Sequence, residues 1–172
     1  MNIKFLSFLC LFIVVVSCKK NQETTELVLE KPNESEAINA KDIAKLKYTD
    51  YVLDSRAENA IVNWDFYKQL EGIVTNIKKG DLTFFNANDK AVKELLINLK
   101  QTIPTEVNND AVLARITALE TKTLKLESLS NLATTTKTEL LSTIKEFLVA
   151  FSNLNLQMNK KIENDNIIIE KP

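Results

Sequence analysis

Beyond residue 41 the chain meets only two glycines and two prolines, Gly72, Gly80, Pro104 and the terminal Pro172. Across that stretch the apolar residues recur at spacings of three and four, the period of a helix with one buried face. An all-α fold follows. Ser55-Arg56-Ala57-Glu58 has the form of a capping box, and the spacing predicts one helix from there to Lys79, closed by Gly80 at C′. Its main apolar face is Val62, Phe66, Leu70, Ile73 and Ile77, with Val74 at the edge. A second helix, opened by Asn88 or Asp89, presents Val92, Leu95, Leu96, Leu99 and Ile103 before Pro104 stops it. Phe84 and Phe85, in the link between the two, are placed to plug the end of the core.

A third helix is expected from Asn109 or Asp110, with Val112, Ile116, Leu119 and Leu126 as its stripe and Thr123 in the intervening seat. A fourth carries Leu140, Ile144, Phe147, Phe151, Leu154 and Met158. These two stripes share one heptad phase, so a single long helix is an alternative to a hairpin. A turn within residues 133–139 is preferred. Threonines 134, 135, 136 and 138 are poor helix formers, Thr136-Lys137-Thr138-Glu139 is another capping box, and an unbroken helix would seat Ser130 and Lys137 in the core. The most economical burial of four such stripes is an antiparallel up-down-up-down four-helix bundle over residues 42–163, with residues 164–172 as a tail.

Inventory excludes much chemistry. The chain has no histidine, which removes the commonest general base, the commonest zinc ligand and the Glu-x-x-His pairs of a di-iron bundle. With no glycine-rich phosphate loop, and with Glu71, Glu94, Glu120, Glu127 and Glu146 reading as solvated or ion-paired positions, no catalytic, cofactor or metal residue is nominated. Twenty-two basic side chains against 23 acidic ones, and no basic cluster longer than Lys19-Lys20, Lys78-Lys79 or Lys160-Lys161, leave no electrostatic footprint for nucleic acid.

The N-terminus has a different character. Lys4, the apolar run from Phe5 to Val16 and the small Ser17 before Cys18 make the three-part layout of a secretory signal. A helix of that run spans about 18 Å, short of the ~30 Å hydrocarbon core, so cleavage is expected rather than a permanent span. Val15-Val16-Ser17-Cys18 resembles the lipobox of bacterial lipoproteins. That resemblance implies removal of residues 1–17, diacylglycerol on the Cys18 thiol and commonly an acylated N-terminus, so the membrane is a partner through the lipid on Cys18. Lys19, where an Asp favours inner-membrane retention in the Gram-negative members, implies the outer membrane. Cys10 leaves with the signal, so the body has no disulfide to rely on. Residues 18–41, polar and interrupted by Pro32, read as a disordered tether with a reach of roughly 25 Å. The asparagine- and lysine-rich body resembles small helical lipoproteins of Gram-negative bacteria, which implies no activity.

One feature does not fit a one-faced helix. Ala57, Ile61 and Trp64 fall nearly opposite Phe66, Leu70, Ile73 and Ile77 on the first predicted helix. Either the preceding segment folds back over them through Tyr48, Tyr51, Val52 and Leu53, or they bind a partner, another envelope protein or an apolar ligand. Arg115, near Glu120, Lys122 and Glu127, is placed for a seam salt bridge or for anion recognition. Asparagines 153, 155 and 159 flank the fourth seam, where they would bond across the bundle or line a polar cavity. Two functions are compatible with all this: a non-enzymatic interaction or structural accessory module, and a carrier or sensor enclosing a small apolar ligand.

Overall fold

The described residues of the chain, 37–166 in a computed structural model, are all helix, turn and extended linker, so the all-α expectation holds. Cys18 with its lipobox-like signal, nearly all of the expected tether, and the isoleucines 167–169 lie outside the described residues. The helices are α1 (Ala40–Ala44), α2 (Ser55–Ala60), α3 (Asp65–Lys78), α4 (Asp89–Gln101), α5 (Asp110–Ser130) and α6 (Lys137–Asp165), with a 3₁₀ turn at Thr83–Phe85. Helical structure therefore starts earlier than residue 42 and ends later than residue 163.

Several boundaries have the physical causes read from the residues. Asn109 caps α5 by accepting the Val112 amide at 2.8 Å, and Thr136 caps α6 by accepting that of Glu139 at 3.2 Å. The chain thus turns between α5 and α6 instead of continuing as one helix, and these two helices form the most extensive pairing in the fold. On these two helices Val112, Ile116, Leu119, Leu126, Ile144, Phe147, Phe151, Leu154 and Met158 are all buried. Buried Thr123 satisfies its hydroxyl by donating to Leu119 O at 2.8 Å. α4 packs against both α3 and α5 and buries Val92, Leu95, Leu96 and Leu99. Phe85 is fully buried, edge-on to Phe84 and Phe147, so it closes the core as expected. Asn131 holds that plug: its Nδ2 donates to Phe85 O and its Oδ1 accepts from Ala87 N, whose residue has φ 49.

The first predicted helix needs correction. It is two helices, α2 and α3, and the N-cap is Asp54, not Ser55. Between them the backbone leaves the helix over residues 61–64, reaching φ −90, ψ 80 at Trp64. One straight helix would need a second layer to cover both of its nearly opposite apolar faces. Breaking it at Ile61-Val62-Asn63-Trp64, a run of indifferent helix formers, re-aims both halves. Ala57, Ile61 and Trp64 turn inward, whereas Val62, expected in the main face, is 53% exposed and Phe66 only half-buried. Tyr67 takes the core seat instead.

Gly80 ends α3 as expected. Its φ is +86, its amide donates to Ile77 O, and the Asp81 amide reaches back to Asn76 O, the paired bonds of a Schellman motif. A Cβ there would lie 2.7 Å from Asn39 Cα, so α1 approaches this turn at van der Waals contact. Gly72 sits mid-helix with nothing within 4 Å of a Cβ position. Gly80→Ala is therefore expected to lose at least about 1–2 kcal/mol in urea unfolding, and Gly72→Ala to gain about 0.5–1 kcal/mol.

Candidate functional site

The most distinctive polar construction lies on α6. Residues 46–54 run as an extended strap between α1 and α2. Ser152, Asn155 and Asn159, spaced by three and four on one helix face, hold that strap through its main chain. Ser152 Oγ accepts the Tyr51 amide at 2.7 Å and donates to Thr49 O at 2.7 Å. Asn155 Nδ2 donates to Tyr51 O at 3.0 Å, and its Oδ1 accepts from the Tyr67 hydroxyl at 2.8 Å. Asn159 Nδ2 donates to Val52 O at 2.8 Å, and its Oδ1 accepts the Asp54 amide at 3.0 Å.

The polarity of each bond is dictated by the strap. A backbone carbonyl only accepts and an amide only donates, so both asparagine side chains have one workable orientation and the Tyr67 O–H must point at Asn155. Ser152 and Asn155 are buried, and such groups are costly when unpaired and useful when paired. Beneath them Trp64 stacks on Tyr67 at 5.4 Å and Tyr67 on Phe151 at 5.8 Å. Burial raises the Tyr67 phenol far above its ordinary range, with the negative charge of Glu71 adding to the effect, so it remains a neutral donor. The Trp64 Nε1 is buried without a hydrogen-bond partner among the described residues. That omission costs about 1–3 kcal/mol, set against the large area the ring removes from water.

Ion pairs fasten the periphery. Lys78 meets Asp50 of the strap at 2.6 Å, and Lys137 meets Asp42 of α1 at 2.8 Å while donating to Ala37 O. Across the α5–α6 seam Glu146 takes both Lys122 and Lys125. Arg115, expected at that seam, is exposed and forms no ion pair among the described residues. The hydrogen-bonded lysine ammoniums beside Asp42 and Glu146 hold both carboxyls below their usual range, Lys137 acting on the first and Lys122 then Lys125 on the second.

The structure places the three residues nominated for partner binding, Ala57, Ile61 and Trp64, inside the body, Trp64 being 1% exposed. Of the two alternatives for this face, a covered one and an open partner surface, the described residues have it covered: the helix break folds it into the core. Of the four residues expected to fold back, Tyr48 and Leu53 pack half-buried against the core that contains Trp64, whereas Tyr51 and Val52 are exposed. Of the flagged asparagines, 155 and 159 belong to the clasp. Ser152 and Asn131 were not singled out by sequence, although polar residues three and four apart on a helix with buried neighbours are a usable signal.

Among the described residues no helix is long and apolar enough to cross a membrane, and no group of three or more carboxylates, cysteines or histidines is placed to hold a metal ion. Comparison with protein-family models found no match, and neither curated proteins nor solved structures gave one.

Asn155→Ala, which strands the Tyr67 hydroxyl and Tyr51 O together, is expected to cost more than Tyr67→Phe; a double-mutant cycle should give a coupling on the order of 1 kcal/mol. The depressed carboxyls of Asp42, Asp81, Asp89 and Glu146 contribute stability that is present above the ordinary carboxylate range and lost as pH falls from that range down through their lowered values. With no histidine to titrate, stability measured by urea should be level from about pH 5.5 to 7 and decline below about pH 4.

Proposed function

We propose that the chain is a lipid-anchored protein of a Gram-negative cell envelope, attached through Cys18, and that its helical body serves as a non-enzymatic interaction or structural accessory module. The observation that carries this reading is the sequence Val15-Val16-Ser17-Cys18 at the end of a short apolar run. Two or three acyl chains at that cysteine would hold the protein where a single chain is only marginal. Lys19 favours the outer membrane as the site of attachment.

A body without catalysis is supported by how its buried polar groups are used. Ser152 and Asn155 spend hydrogen bonds on holding the strap, the Tyr67 hydroxyl donates to Asn155, and Thr123 and Thr143 bond back to their own helix. The best reading of the arrangement is an antiparallel four-helix bundle of α3, α4, α5 and α6, with α1, the strap and α2 wrapped on it. Packing of α3 on α4, α4 on α5 and α5 on α6, each joined by a short link, supports that reading.

Metabolic labelling with a clickable fatty acid followed by membrane fractionation tests the anchor. The wild-type chain should carry label and sediment with outer membranes, and Cys18→Ser should lose the label. An unlabelled wild-type chain, or a Cys18→Ser variant that still takes up label, would contradict lipid attachment.

A further inference from the structure

One end of the body gathers three joints of the chain. Asn39, before α1, lies against the Gly80 turn that closes α3, and Asn131, after α5, is bonded to Phe85 and Ala87 of the link before α4. Lys137, at the start of α6, pairs with Asp42 of α1 and donates to Ala37 O. Ala37 is also where the chain arrives from Cys18. Of the body's two ends this one is therefore nearest, along the chain, to the proposed anchor.

The charges of this end are unequally engaged. Its acids are mostly taken: Asp42 by Lys137, Asp50 by Lys78, Asp89 by Lys93, and Asp81 by the amide and hydroxyl of Thr83. Lys41, Lys45, Lys47 and Lys79 are exposed and form no ion pair among the described residues. Lys45 and Lys79 lie close enough to Asp42 and Asp81 to favour their charged forms but bond to neither. Glu139, in the first turn of α6, is the exposed acid that stands unpaired beside them. In the turn between α5 and α6, at the same end, Leu132 is 53% exposed. Four free ammoniums with a large apolar side chain near them match the edge of a membrane, where phosphate lies over acyl chains.

Resting on the reading of Cys18 as a lipid anchor, we propose that this end of the body docks on anionic phospholipid headgroups of the leaflet that holds the anchor, with Lys41, Lys45, Lys47 and Lys79 against the phosphates. Charge attraction to a membrane fades within a Debye length, about 8 Å at physiological salt, so only an end held close to the surface gains from it. The link from Cys18 supplies that closeness. A segment with a reach of roughly 25 Å keeps the lysines at high effective concentration over the lipid, so individually weak contacts suffice. The lysines are also presented on a fixed base, since α1 is pinned by the Asp42–Lys137 pair and by its contact with Gly80.

Pulse labelling of lysines in the full, processed protein tests this. The protein extracted from membranes is reconstituted into vesicles of phosphatidylcholine alone or with added phosphatidylglycerol, treated briefly with an amine-reactive ester and digested for mass spectrometry. Labelling of Lys41, Lys45, Lys47 and Lys79 should fall several-fold in the anionic vesicles and recover at high salt. Lys100 and Lys160, exposed at the far ends of α4 and α6, should be labelled equally in both. Lys41→Gln with Lys45→Gln, two exposed positions outside the core, should restore labelling of Lys47 and Lys79. The N-terminal peptide of the same digest reports whether Cys18 carries lipid. Equal labelling of the four lysines in both vesicles, or equal protection of Lys100 and Lys160, in a lipidated chain would overturn the docking and leave the anchor standing. An N-terminal peptide without lipid would overturn the anchor and, with it, the docking.

Discussion

Everything in the described body is referred to α6, because that helix has to satisfy neighbours of two kinds at once. It buries Ile144, Phe147, Leu148, Phe151, Leu154, Met158 and Ile162 against apolar partners, while Ser152 and Asn155, equally withdrawn from water, require hydrogen bonds. An apolar contact tolerates sliding; a ladder of fixed donors and acceptors does not. Displacing the strap by one residue would bring amides against amides and carbonyls against carbonyls, so the polar bonds fix its register in the way side-chain alternation fixes that of a strand. The few kcal/mol they contribute matter less than this selection of a single arrangement.

From the strap's register the rest follows. Asp54 is set where it can cap α2, α2 delivers Ala57 and Ile61 to the core, and the break after it turns Trp64 onto Tyr67. Tyr67 in turn reaches Asn155, closing a ring of dependence that runs from strap to α3 to α6 and back to the strap. The peripheral ion pairs are of another kind. The Glu146 pairs lie where water competes and Asp42–Lys137 is more withdrawn; together they hold the α5–α6 seam and α1 in place at neutral pH.

The regular half of the molecule was readable before any coordinates because each helix there has one dry face. Period agrees in α4, α5 and α6, with Asn109 and Thr136 capping the last two and Pro104 after α4, and the seats named from spacing are buried except Ile103 and Leu140, which are half-buried. The N-terminal half was less legible. Its conflict of faces at Ala57, Ile61 and Trp64 was visible in the sequence, but a conflict has several resolutions and the pattern does not choose among them. The chain resolves it by breaking the helix, a choice governed by tertiary packing against α6 and not by local propensity. Nor could periodicity reveal that Asn155 and Asn159 meet a backbone segment some hundred positions earlier, since a main chain has no sequence signature to match.

Amide hydrogen exchange at Tyr51 and Asp54 tests most directly whether α6 holds the strap through its main chain. Both residues lie in an exposed, non-helical segment, where unprotected amides exchange freely. Bonding to Ser152 and Asn159 predicts that these two amides are protected, and that Asn159→Ala releases Asp54. Exchange of both at unprotected rates in the wild-type chain would contradict the clasp and the dependence of the N-terminal half upon it.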